Sequence, residues 1–202
     1  MSTFGRLTSI WENVKEIELK PIAAEALQAL NFAIVGRSGS GRHTLAGQLR
    51  TDPQRPSIVV QSPLLITDLD NAASADRAQL IILMLDINQE DVQQELSLAR
   101  RWVDMNKKVI IFFNKLDLLG SRSLPGQDNR WMGLTVFHGS ASNAQFLQRS
   151  FVPLMLRMLP DLHLALGRQF PLFRQTIARA MIQDTSLSNA AYALSTGLAE
   201  TV

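Results

Sequence analysis

"NFAIVGRSGSGRHTLAGQL", from Asn31 to Leu49, is the stretch on which the fold turns. An apolar run, Phe32 to Val35, stops at Gly36-Arg37-Ser38-Gly39-Ser40-Gly41, and a helical pattern opens at Arg42. Glycines at such a point let a chain leaving a strand turn sharply and bring backbone N–H groups up to an anion. The first turn of the following helix adds the positive end of its dipole. The spacing G-x-x-x-x-G-K-[ST] of a phosphate-binding loop is met at Gly36 and Gly41. Arg42, however, replaces the Lys and His43 replaces the hydroxyl residue.

These replacements matter chemically. A planar guanidinium keeps the charge of an ammonium but not its compact shape. Imidazole is a poor ligand for Mg²⁺, which demands oxygen in octahedral geometry. Thr44 comes one residue late and serves only if the helix start is shifted. Other glycine-loop patterns fit less well. A dinucleotide G-x-G-x-x-G starting at Gly39 meets Thr44 at its last position, and the next apolar run, "SIVVQ", ends in Gln61 rather than an acid. The hydrolase elbow G-x-S-x-G fails because Ser40 occupies its fifth position. A bland glycine turn is the remaining alternative.

Outward from this loop the chain alternates. Short apolar runs "FAIV", "SIVV", "LLIT", "LIILML", "VIIFF" and "LTVF" are separated by polar helical stretches at Leu45 to Arg50, Ala72 to Gln79 and Glu90 to Val103. Strands this uniformly apolar are buried on both faces, so the pattern predicts an α/β fold: a mainly parallel sheet covered by helices on both faces. Before it, Phe4, Leu7, Trp11 and Val14 recur at helical spacing, and Pro21 is placed to open a second helix through Leu30. After it, "NAQFLQRSFVPLMLRMLP" reads as a closing helix, and Phe173, Ile177, Ala180 and Met181 fall on one side of another. The expected division is a helical segment over 1–30, a nucleotide-loop domain over 31–160 and a helical extension over 161–202.

Composition narrows the function classes. The 202 residues are 46% hydrophobic and 19% charged, enough apolar material to bury a core. A formal charge of +2 is a small imbalance, so bulk nucleic-acid binding is not expected. Without cysteine there are no disulfides, thiolate metal sites or cysteine nucleophiles. His43, His138 and His163 lack the paired spacing of a metal cluster. His138, just after a strand, is expected to pack or cap, and Glu90, Asp91 and Glu95 to form a solvated helix face. Arg50 and Arg55 are likewise expected as ordinary solvated surface. The N-terminal stretch lacks a secretory signal, and no apolar run reaches the roughly 20 residues a spanning helix needs. The expectation is therefore a cytoplasmic protein, with membrane contact only through its helices or a C-terminal continuation.

The second informative stretch is "VIIFFNKLDLL". A strand ends and Asn114-Lys115-Leu116-Asp117 follows at once, where the carboxyl ends of parallel strands form a ligand crevice. The form is N-K-x-D. An Asp117 carboxylate can accept from the two donors on the N1 and N2 edge of guanine, which adenine does not offer. Asn114 would tie this turn to the phosphate loop, and the Lys115 stem would lie along the base. One strand later, "LTVFHGSAS" brings Ser140-Ala141-Ser142 to the place of a base-capping loop.

With these three loops in this order, residues 30 to 150 resemble the small G-domain GTPases of the Era and Ras type. The flanks "IWENVKEIELKPI" and "LALGRQFPLFRQ" are similar to a bacterial subgroup, the YcjF-like GTPases, in which a helical, often membrane-associated region follows the G domain. The resemblance implies GTP or GDP held by Gly36, Ser38, Gly39, Ser40, Gly41, Arg42, His43 and Thr44 at the phosphates. At the base it implies Asn114, Lys115, Asp117, Ser140, Ala141 and Ser142. A regulatory or effector protein would be the partner, with no nucleic acid. Thr44 and Asp68 are the only candidate Mg²⁺ ligands, and Mg²⁺ dependence weaker than in ordinary GTPases is expected.

Hydrolysis is where the pattern departs from the family. The nearest match to D-x-x-G is Asp68-Leu69-Asp70-Asn71, with Asn in the Gly position, followed by Ala72 and Ala73 rather than a water-orienting Gln. Neither Thr51 nor Thr67 is well placed to cover a metal and a γ-phosphate. Phosphoryl transfer rests on positioning and charge neutralisation, so slow or partner-dependent turnover is expected, with no assignable catalytic residue. Arg37, Arg42, Arg50 and Arg55 crowd the loop, and one of them can stand in for the missing Lys. The alternative is a pseudo-GTPase: an interaction scaffold with little nucleotide affinity. A kinase would need an acceptor-binding lid, which no segment supplies.

Overall fold

A computed structural model describes residues 30–183 apart from position 63. The helices expected over 1–30 and the tail beyond 183 lie outside the described residues. Five strands form one sheet in the order β4-β1-β5-β6-β7, every neighbouring pair parallel. They are β1 (Phe32–Gly36), β4 (Leu64–Thr67), β5 (Leu80–Asp86), β6 (Lys108–Asn114) and β7 (Thr135–His138). Between them run α1 (Arg42–Arg50) and α2 (Gln93–Asp104).

The uniformly apolar strands are explained by two cores, one on each face. Phe32 and Ile34 of β1 face one with Leu45 and Leu49 of α1, whereas Ala33 and Val35 face the other with Leu96, Ala99 and Trp102 of α2. Alternate side chains of a strand point to opposite faces, so a strand with helices on both sides has no polar position to spare.

The first core also takes in the chain beyond residue 144. A short α turn (Ala144–Phe146) and a π-helical stretch (Leu147–Phe151) lead into α3 (Val152–Met158). The expected closing helix is there, but Pro153 breaks its regularity. Proline has no N–H for the carbonyl of Arg149, four residues back, and the π-helical stretch ends two residues before it. α4 (His163–Gln169) and a helical stretch over 171–183 follow. Leu162, Leu166, Phe170, Phe173 and Ile177 join the same core as β1 and α1, and Phe170 stacks on Phe32 at 5.8 Å between centroids. Ala180 and Met181, expected on the buried side with Phe173 and Ile177, are exposed.

Three further expectations are corrected. "SIVV" is no strand of the main sheet: Arg55–Val59 (β3) pairs antiparallel with the two-residue β2 (Thr51–Asp52) in a separate hairpin. Pro56 within it lacks a ladder donor and Val59 is exposed, properties of an edge rather than of a sheet interior. The stretch at Ala72 is a 3₁₀ helix over Ala72–Arg77, not an α-helix. Its start is a local turn in which the Ser74 hydroxyl donates to the Asn71 carbonyl and competes with helical bonding. α2 begins at Gln93 rather than Glu90, because the Asp91 carboxylate accepts from the Gln93 N–H and ends the preceding turn.

Arg50, expected as solvated surface, is instead engaged at the sheet's outer strand. Its Nη2 donates to the carbonyls of Ser62 (3.0 Å) and Leu64 (3.4 Å).

Candidate functional site

Parallel strands put all their carboxyl ends on one side. Gly36 is in register with Met84, Asp86 with Asn114 and Phe113 with His138, so the turns after β1, β5, β6 and β7 gather at one edge. The phosphate-type loop, the N-K-x-D turn and the Ser140–Ser142 loop are thus neighbours.

Asn114 joins them. It is 4% exposed; its Nδ2 donates to the Ser40 carbonyl at 2.8 Å and its Oδ1 accepts from the Ala141 N–H at 2.7 Å. One buried amide therefore satisfies a backbone acceptor of the first loop and a backbone donor of the third. The glycines of the first loop are explained by the same closeness. A Cβ on Gly41, where φ is 97°, would lie 2.1 Å from Asn114 Nδ2, and one on Gly36 would lie 2.4 Å from the Met84 carbonyl oxygen. Both positions exclude a side chain for packing reasons, whatever else the loop does.

Around this bridge the third loop is closed by its own contacts. Ser140 and Ser142 share a hydroxyl hydrogen bond of 2.9 Å, Ala141 is buried, and Gln48 of α1 donates to the Ser142 carbonyl at 3.4 Å. Lys115 has φ 66°, a left-handed conformation costly for a side-chain-bearing residue, of order 1–3 kcal/mol. It is held there by the Leu116 N–H bond to the Gly139 carbonyl and by an ion pair from Nζ to Asp86 at 2.5 Å. Burial pushes the Asp86 carboxyl up, but the Lys115 ammonium and the Asn88 N–H together outweigh it, and its pKa is lowered. Asp117 is exposed, with no hydrogen bond or ion pair among the described residues.

A cavity of about 370 Å³ lies against the first loop, lined by Arg37, Ser38, Gly39, Ser40, Asp86, Asn88, Gln89 and Lys115. Two buried polar atoms, Ser40 Oγ and Asn88 Oδ1, have no partner there. Arg37 is turned away from the loop. Its Nε and Nη2 bind the two oxygens of Glu95 at 2.6 and 3.1 Å, and Gln89 Nε2 donates to the same carboxylate at 2.6 Å. Glu95, expected on a solvated face, is 0% exposed. A buried carboxylate persists only when paired and hydrogen-bonded, and Arg37 supplies both. Glu95 raises the Arg37 pKa further. No spacing rule connects residues 58 positions apart, so this pair is not visible in the sequence.

The metal side is built differently. α1 starts at Arg42, capped by Gly41 without a side-chain hydrogen bond and with no acid in its first turn. The condition for Thr44 to take the hydroxyl position, a shifted start, is not met. Arg42 is half-buried, His43 and Thr44 are exposed, and their side chains have no hydrogen bond or ion pair among the described residues. The Asp68 carboxylate accepts from the N–H and Nδ2 of Asn71 at 3.0 and 2.9 Å. Those bonds lower its pKa, against some desolvation, with the Arg42 charge adding. Thr44 and Asp68 do not line the cavity, and among the described residues no cluster of three His or acidic residues is placed to hold a metal. His138 stacks on Phe113 and its Nε2 donates to the Pro125 carbonyl at 2.6 Å, the packed role expected of it. No described helix is long and apolar enough to cross a membrane.

No protein-family model matches the chain, and no curated protein is similar to it by sequence. Among solved structures it is similar to the translation elongation factor SelB from Methanococcus maripaludis in complex with the GTP analogue GppNHp, at 17% identity and TM-score 0.46. That alignment covers 66% of this chain and 34% of that one. A GTP-binding protein from Sulfolobus solfataricus in complex with GDP aligns at 15% identity and TM-score 0.45, over 77% and 62% of the two chains. The small COPII coat GTPase SAR1 from Encephalitozoon cuniculi, in complex with GDP, aligns at 16% identity and TM-score 0.42, over 90% and 93%. The chain spans about a third of the SelB length (34%) and 62% of the Sulfolobus protein. At such identities and TM-scores the likeness assigns neither ligand nor activity.

Proposed function

We propose that the chain is a guanine-nucleotide-binding protein of the small GTPase class, with slow or partner-dependent hydrolysis and a regulatory role. The observation that carries this is the Asn114 amide, bonded at once to Ser40 of the first loop and Ala141 of the third. Three turns read separately as phosphate, base and base-capping loops share one side chain. A diphosphate fits the first loop through main-chain amides: the opening N–H groups of α1 have no side-chain cap, and Gly39 has open space around its Cα. Asp117, exposed and without an ion pair or hydrogen bond among the described residues, is the group available to guanine.

Mg²⁺ does not fit as well. The hydroxyl position of the loop holds His43, and one oxygen of Asp68 is engaged by Asn71. The second reading, a scaffold without useful nucleotide affinity, is favoured by the engagement of Lys115 with Asp86 and of Arg37 with Glu95. Both cations nearest the cavity are already neutralised.

The test is a titration of nucleotide-stripped protein with fluorescent GDP and ADP. GDP is expected to bind at least about tenfold tighter, a difference of about 1.4 kcal/mol. Asp117→Asn should lower guanine affinity and raise xanthine affinity. Equal or undetectable binding of GDP and ADP favours the scaffold, and no gain for xanthine removes Asp117 from the base site.

A further inference from the structure

Three cavities away from the nucleotide loops run into one another. They measure about 300, 500 and 530 Å³, and all three are lined by Gln148 and Gln175, whose side chains are hydrogen-bonded to each other at 2.7 Å. The resulting groove passes from the β2–β3 hairpin, across the π-helical stretch, to the last described helical turn. None of its lining residues touches the nucleotide-side cavity. Gln48, Gln54, Gln145 and Gln183 also line it.

Its charges are asymmetric. Near the hairpin Asp52 is matched: its carboxylate accepts from the Gln54 N–H at 2.9 Å and faces Arg174 at 3.8 Å. At the far end Arg149 and Arg179, on different helices, line the 530 Å³ cavity together, and no acidic residue lines it among the described residues. Both are exposed and neither has an ion pair or hydrogen bond among the described residues. Arg149 lies in the π-helical stretch, a widening of the helix that re-aims side chains and is common at functional sites.

We propose that this groove binds an extended, acidic segment of a partner protein. Glutamine side chains carry the same donor and acceptor as a peptide bond, so a row of them suits a strand of main chain that has no partner of its own. Two guanidinium forks in one cleft, without an ion pair among the described residues, suit carboxylates, which they bind in parallel, bidentate fashion. The lining offers amides and prolines rather than a continuous apolar surface, which fits a peptide and not the insertion of lipid chains. The proposal does not depend on nucleotide binding.

The test is selection of random displayed peptides on the full chain, followed by affinity measurement. The expected winners are rich in Asp and Glu and lose about tenfold or more in affinity against the double variant Arg149→Glu, Arg179→Glu. The same peptides with Lys in place of their acids should bind that variant better than the parent, a rescue that a merely misfolded variant cannot give. Gln175→Ala should cost less, a few-fold, because one amide among several is lost. Failure to select any peptide, winners without acids, or equal binding to the double variant overturns the proposal. So does binding to phosphatidylserine-containing vesicles that the double variant abolishes while peptide binding is unchanged, which would make the face a lipid contact.

Discussion

On the Asn114 side of the crevice the polar groups hold one another: the amide bridges Ser40 and Ala141, Ser140 meets Ser142, and Lys115 meets Asp86. On the Arg42 side His43 and Thr44 stand in solvent, and one oxygen of Asp68 is bonded within its own turn. The first region is organised before any ligand arrives; the second would have to be completed by one. Recognition depends on fixed donors and acceptors, whereas phosphoryl chemistry depends on a metal, a charge and an oriented water. The contrast is the one the proposed function requires, recognition groups fixed and hydrolytic groups unassembled.

The sharpest way to break the comparison is Asn114→Ala. It leaves a buried carbonyl and a buried N–H unpaired, at about 1–3 kcal/mol each, so urea unfolding should lose about 3 kcal/mol in all and fluorescent GDP binding should vanish. If stability falls by less than about 1 kcal/mol, the amide is not the bridge described above. Next comes Arg37→Ala, which strands the buried Glu95. Breaking a buried pair costs about 3–5 kcal/mol, but the Arg37 side chain is 41% exposed and water softens the loss, so about 2 kcal/mol is expected by the same measurement. The paired variant Arg37→Ala, Glu95→Gln should recover part of it.

A third test sharpens the other side. Arg42→Lys with His43→Ser restores the metal-binding chemistry of the loop, and Mg²⁺ should then tighten GDP binding by about tenfold, or about 1.4 kcal/mol. Parent protein with equally steep Mg²⁺ dependence would contradict the account of His43. The smallest effect is on pH. Asp86 has a lowered pKa in the fold, so its contribution to stability is complete above the unfolded carboxylate value of about 4 and is lost as pH falls through the folded value. Asp86→Asn should flatten thermal stability against pH in that acid range and leave the profile above pH ~5 unchanged in shape.

The sheet was legible because burial on both faces leaves an unbroken apolar run, and its three inner strands, β1, β5 and β6, carry one. Asn114 was legible for a related reason: a polar residue at the end of such a run must answer to the crevice. Glu95 was not. An acid on a helix looks the same in sequence whether it meets water or a guanidinium 58 residues earlier, and only the fold brings Arg37 to it. "SIVV" misled because β-branched residues favour any strand, including a two-stranded hairpin outside the sheet. The π-helical stretch left a readable mark, a proline inside a helical run, whose consequence was one widened turn rather than a stop.

Arg50 shows what one such tertiary contact does beyond the crevice. β4 is the outermost strand on its side, and open strand edges invite further strands. A second copy trying to lengthen the sheet there would find the Leu64 acceptor already occupied and a positive charge beside it. Among the described residues one guanidinium thus ties the end of the first helix to the start of the outermost strand and sets a positive charge on that border.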